Sequence, residues 1–108
     1  MSVEMNISSE ESHGWLVVAP AGEIDIATVD ALDQALAENR DTVLDLSDVS
    51  FMDSTGLRSL VGAHNRLKES GSRFRLVVPS GAVSRIIEIT GLSGALDIVS
   101  SRAAALTS

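Results

Sequence analysis

Ser54 follows a carboxylate, Asp53, and precedes Thr55 and Gly56, at the point where the apolar Phe51-Met52 gives way to a helical pattern. A serine at the start of a helix can accept a hydrogen bond from a free backbone N–H group. Phosphorylated, it would gain about 1.5–2 negative charges and three strong acceptor oxygens. The stretch from Phe51 to Leu57 therefore reads either as a helix cap or as a switch.

Other chemistry is sparse. His13 lies in a polar stretch, and His64 falls on the apolar stripe of its helix as a core-edge residue. Two isolated histidines and no cysteine give no metal-ligand pattern, no cofactor and no disulfide. Neither a Gly-x-Ser-x-Gly elbow nor a glycine-rich phosphate loop is present, so no enzyme is expected. Glu23, Asp25, Asp45, Asp48 and Asp53 raise the thought of a receiver-type phosphoacceptor. That chemistry wants paired acids at the end of the first strand and a lysine, and the only lysine, Lys68, lies inside a helix.

The elements that must position Ser54 read as follows. Val3, Met5 and Ile7 alternate as a first strand, and a polar loop over 8–14 leads to the buried run Trp15 to Ala19. Pro20 cannot donate to a ladder, which predicts an edge or a bend. Thr28 is the expected cap of a helix over 29–39 with Val29, Leu32 and Leu36 buried. A third strand over 42–46 leads to the serine turn. The next helix carries Leu57, Leu60, Val61, His64 and Leu67 and ends at Gly71 in a left-handed cap. A fourth strand over 74–78 closes at Pro79. Ser80 is the expected cap of a helix bearing Val83, Ile86, Ile87 and Thr90, stopped by Gly91. A short strand over 96–99 precedes a weak helix or tail. The expectation is a single α/β domain over residues 1–108, with a mixed sheet of four to five strands opened by an antiparallel hairpin, and three main helices.

Composition bounds the rest. The 108 residues are 44% hydrophobic, with only Trp15, Phe51 and Phe74 aromatic, so the core must be mostly aliphatic. Residues 1–53 hold twelve acids against one base, a net −11, while residues 54–108 hold seven bases against three acids, a net +4. Such a dipolar surface can steer a charged protein partner. A pI near 4.6 and few aromatics disfavour nucleic acid. The longest apolar run, Trp15 to Ala21, is too short to span a membrane, and the first residues lack a signal peptide's basic and apolar regions. A cytoplasmic protein is expected, monomeric or weakly dimeric through an exposed first strand.

Phe51-Met52-Asp53-Ser54-Thr55-Gly56-Leu57 resembles the signature of STAS-domain anti-sigma factor antagonists. Gly22-Glu23-Ile24-Asp25, Val43-Leu44-Asp45-Leu46 and the run from Arg85 to Leu92 match further segments in order and spacing, covering nearly the whole chain. The resemblance implies that the unphosphorylated protein binds an anti-sigma factor, which is also a serine kinase using ATP, and so frees a sigma factor. Phosphorylation of the signature serine releases the antagonist, and a phosphatase restores it. Carried onto this chain, Ser54 is the phosphoacceptor and Asp53 positions its hydroxyl or contacts the kinase. Glu23 and Asp25 match residues near the binding face. Thr55 and Gly56 shape the turn, with Gly56 letting a partner's backbone approach.

Arg58 departs from the family, where a small residue is expected. Four residues after Ser54, it stands where a helical side chain reaches back one turn. Either it meets a phosphate on Ser54 or it is an ordinary exposed charge. The competing functional reading is a STAS interaction module of a transporter or stress-signalling complex, without sigma control.

Overall fold

A computed structural model of the chain describes residues 5–106; Val3 of the expected first strand lies outside them. The chain runs β1 (Asn6–Ser12), β2 (Trp15–Ile24), α1 (Val29–Ala35), β3 (Thr42–Asp45) and β4 (Asp48–Met52). It continues as α2 (Ser54–Glu69), β5 (Phe74–Val77), α3 (Ala82–Ile89), β6 (Asp97–Val99) and α4 (Arg102–Leu106). The strands form one mixed sheet in the order β1-β2-β3-β5-β6, with β4 also on β2. The α/β class and opening hairpin are as the sequence implies, but six strands replace the expected four to five.

The structure departs from these expectations at four places. The polar run over 8–12 is strand rather than loop, because β1 is an edge strand and its side chains are largely solvated. Only His13 and Gly14 turn the chain, both with positive φ, as two-residue hairpins favour. Of the edge or bend expected at Pro20, the edge is ruled out. β2 is interior, pairing with β3 through Val18 and with β4 from Ala21, and Pro20 falls at this change of partner. The helix expected over 29–39 ends at Ala35, and Ser80 yields the N-cap of α3 to Gly81.

Alternation along the strands builds two apolar layers. Leu16, Val18, Leu44, Leu76 and Val78 face a core closed by Leu32 and Leu36 of α1, Leu60 and Leu67 of α2, and Val83 and Ile87 of α3. Trp15, Val17, Val43 and Val77 face the other way, with Ala105 of α4. The guanidiniums of Arg73 and Arg75 lie 4.2 and 5.0 Å from the centre of the buried Trp15 ring, closing this second face with cation–π contacts. Gly71 follows α2 at φ 80°. There Ser72 N–H donates to Leu67 O and Gly71 N–H to Lys68 O, the paired bonds of a glycine-terminated helix.

Asp45, buried at the end of β3, ties α4 to the second face. Its carboxylate accepts from Arg102 Nε at 2.8 Å and from Ser47 Oγ and N at 2.5 and 2.9 Å. Burial works to raise its pKa, but the Ser47 hydrogen bonds and the Arg102 guanidinium outweigh it and hold the carboxyl below the usual range. A depressed carboxylate stabilises the fold above its unfolded pKa of about 3.9, and that contribution is lost as pH falls through the folded value. Asp45→Asn is therefore expected to lower the urea midpoint at pH 6 and to flatten its fall below pH 4. Asp41 and Asp53, also depressed, remain in both proteins, so the difference isolates Asp45. Parallel profiles would show that the ion pair contributes nothing.

Candidate functional site

The parallel pairing of β2 and β4 ends at Ile24↔Met52. One residue later, Asp53 N–H donates to Ile24 O at 3.1 Å, so Asp53 is held in extended backbone and the helix can begin only after it. Asp53 is consequently the cap of α2. Its Oδ1 accepts from Thr55 N at 2.9 Å, Gly56 N at 3.2 Å and Thr55 Oγ1 at 2.5 Å. The Thr55 hydroxyl bond, against the opposing effect of burial, and then the Gly56 and Thr55 amides keep its pKa below the ordinary carboxylate value.

This corrects the expectation for Ser54. It is the first residue of α2 rather than its cap, and it is exposed. Its hydroxyl makes no hydrogen bond among the described residues. The bonds of Asp53 go to Thr55 and Gly56, so Asp53 sets the turn rather than positioning the Ser54 hydroxyl. Thr55 shapes the turn as expected.

Gly56 also acts differently from expectation. It is buried, and a Cβ built there would lie 2.4 Å from Met52 Cγ and 2.9 Å from Ile24 Cγ2. The missing side chain seats α2 on the ends of β2 and β4; a partner's backbone has no access to that space.

Beside this turn runs the loop after β2. Asp25 O accepts from Thr28 N at 3.0 Å and Val29 N at 2.8 Å, and its Oδ1 accepts from Ala27 N at 2.9 Å. The Thr28 hydroxyl donates to Glu23 O at 2.8 Å and accepts from Asp25 N at 3.0 Å. Thr28 occupies the N-cap position of α1 as expected, but its side chain fastens this loop and makes no capping bond to the helix. Glu23 pairs with Phe51, just past a register shift at which β4 carries one extra residue, Ser50. Glu23, Asp25, Asp53 and Ser54 accordingly share the end of the sheet where β2 and β4 finish together. Asp45, bound to Arg102, belongs to the second face, so the five acids form no single centre. His64 is half-buried on α2, at the edge of the core as expected.

The large hydrophobic side chains most exposed among the described residues are Ile26, Phe51 and Ile89, at 79%, 46% and 78%. Ile26 lies in the loop after β2, and Phe51 is the penultimate residue of β4. An open groove of about 550 Å³ joins Phe51 to Gly81, Ala82, Arg85, Ile86 and Ile89. Sequence reading did not single these residues out for binding. One signal was available at Ile89, an apolar residue off the Val83, Ile86, Ile87 stripe of its helix. Arg58 and Arg85, both exposed, make no ion pair or hydrogen bond among the described residues.

A mixed sheet with an opening hairpin, helices on its main face and a serine-bearing turn at the ends of two parallel strands describes a STAS domain, and the STAS domain family model matches residues 6–105. The anti-sigma-B factor antagonist of Bacillus subtilis is 33% identical over 100 residues, covering 89% of this chain and 92% of that protein. The crystal structure of an anti-sigma factor antagonist from Mycobacterium paratuberculosis superposes with a TM-score of 0.88 at 32% identity, over 96% of this chain and 92% of that one. The phosphorylated form of the Bacillus cell fate determinant SpoIIAA shares the fold, with a TM-score of 0.70 at 20% identity, over 93% of this chain and 96% of that one. The chain belongs to the family of STAS-domain anti-sigma factor antagonists.

Proposed function

We propose that the unmodified protein binds an anti-sigma factor that is also a serine kinase, thereby freeing a sigma factor, and that phosphorylation of Ser54 ends the interaction. The observation that carries this reading is the division of labour at the start of α2. Asp53 does the capping, which leaves the Ser54 hydroxyl exposed and without a hydrogen-bond partner among the described residues. In the transfer, Ser54 Oγ forms a bond to the γ-phosphorus of ATP as the bond to the ADP oxygen breaks, and the hydroxyl proton passes to a base on the kinase. A phosphatase returns the serine by hydrolysis. The protein itself is substrate and antagonist rather than enzyme.

The partner face comprises Ser54 and Thr55, Asp53, the neighbouring Glu23 and Asp25, and Arg58 one turn along α2. Gly56 supports it from beneath. Ile26, Phe51 and the α3 groove extend it with apolar surface of the kind that anchors interfaces. Its polar part is acidic, so a basic surface on the kinase complements it. No helix among the described residues is long and apolar enough to cross a membrane. The reading places the protein in the cytoplasm, with a protein partner and no nucleic acid or lipid. It acts as a monomer, with β1 as the exposed edge through which a weak dimer would form.

Incubation with ATP and candidate anti-sigma factors from the same genome, followed by mass-spectrometric mapping, tests the proposal. Phosphate on Ser54, absent in Ser54→Ala, is the expected result. A stable complex with no phosphate transferred would instead favour a STAS interaction module outside sigma control.

A further inference from the structure

Arg58 lies four residues after Ser54 within α2, so their Cβ atoms are neighbours one turn apart. Both side chains are exposed, and the Arg58 guanidinium is unpaired among the described residues. A phosphate on Ser54 would find the Thr55 and Gly56 amides already taken, because Asp53 Oδ1 accepts from both. Several charged groups around it are acids. Asp53 precedes it, Asp25 follows Ile24 on the adjoining strand end, and α1, which packs on α2, carries Asp30 and Asp33, the latter accepting from the Ser59 hydroxyl. Arg85 of α3 lines the groove beside Phe51, and α3 packs on β4. Arg66 and Lys68 are at the far end of α2.

We infer that Arg58 is an internal counter-ion for phosphorylated Ser54, closing a salt bridge over the first turn of α2 that the unmodified protein lacks. The inference rests on the phosphorylation reading and deepens it. A planar guanidinium offers a bidentate fork to phosphate oxygens, a stronger contact than a point charge makes. Phosphorylation then changes two groups at the partner face. It adds negative charge at Ser54, and it withdraws from the partner the free guanidinium of Arg58 beside the acidic turn. The salt bridge also offsets the repulsion between phosphate and the ionised Asp53, so the fold tolerates the modification. In the unmodified protein Arg58 is free to meet an acidic group of the kinase.

The test needs no kinase. Phosphoserine is incorporated at position 54 by genetic encoding, and its second ionisation, near pH 6 for a free phosphoserine, is followed by phosphorus NMR. The parent protein is compared with Arg58→Gln, Arg58→Lys and Lys68→Gln. The parent is expected to titrate about 0.3–0.7 unit below Arg58→Gln, the size of an i, i+4 ion pair strengthened by bidentate charge assistance. Arg58→Lys should fall between them. Lys68→Gln should match the parent, since its charge lies about 20 Å along the helix, beyond the screening length of about 8 Å at 0.15 M salt. Identical titration of the parent and Arg58→Gln overturns the inference. So does an equal shift in Lys68→Gln, which would mean that only net charge is felt. Because the phosphate is installed directly, failure of any kinase to modify Ser54 would strike the functional reading without touching this result.

Discussion

Gly56→Ala is expected to cost about 1–3 kcal/mol of stability, although alanine is the better helix former by about 1 kcal/mol. The new methyl would sit 2.4 Å from Met52 Cγ and 2.9 Å from Ile24 Cγ2, with both neighbours buried almost completely. Neither can swing into solvent, so the strain falls on the seat of α2, and through it on Ser54. Gly62, on the same helix, supplies the contrast. It is exposed with nothing within 4 Å of a built Cβ, so Gly62→Ala should gain about 0.5–1 kcal/mol. At about 4–8 °C per kcal/mol for a domain near this size, melting temperatures of the two variants should differ by about 6–30 °C. The cause is checked by making Gly56→Ala in a Met52→Ala background. If the clash is with Met52, the cost of the alanine should shrink by more than about 0.5 kcal/mol, the usual limit of additivity for independent sites. An unchanged cost would place the strain elsewhere.

The same contact explains what the sequence could and could not tell. Leu60, Leu67, Val83 and Ile87 recur at helical spacing, and Leu44, Leu76 and Trp15 sit in short apolar runs, so the helices and interior strands were legible as periodicity. β4 was not. Its pattern, Asp48 to Met52, breaks strict alternation, because Ser50 is an extra residue of β4 set against the direct step from Gly22 to Glu23 in β2. A bulge is a property of two strands together and leaves little trace in one. The cap of α2 was ambiguous for a similar reason. Aspartate and serine are nearly equal as caps, and Asp53 takes the position because its N–H is committed to Ile24 O, a contact 29 residues back along the chain. The buried role of Gly56 needs the same long-range contact. What the sequence did carry was the signature turn itself, whose residues lie together at one end of the sheet, along with the glycine stop at Gly71.

On the proposed function, Ser54→Asp is expected to weaken binding to the anti-sigma kinase by about 30- to 1,000-fold, or about 2–4 kcal/mol, while leaving the domain folded. Two opposing effects act within the protein. A carboxylate at the first position of α2 is favoured by the helix dipole, by about 0.3–1 kcal/mol, and disfavoured by the ionised Asp53 beside it. The two nearly cancel, so the urea midpoint should change little. At the interface no such cancellation operates. In the proposed complex the added charge would be desolvated against a surface that accommodates a small neutral side chain, and burying a charge without a partner is where affinity would be lost. Ser54→Ala should bind about as well as the parent, because the hydroxyl makes no bond that the fold needs. Calorimetric titration of the three proteins into the kinase, paired with urea unfolding of each, separates the possibilities. Affinity lost in aspartate alone, at constant stability, identifies a charge switch set on an unmoved scaffold. Affinity and stability falling together would mean that Ser54 acts through the start of α2, and that the partner reads the fold of the turn rather than the charge upon it.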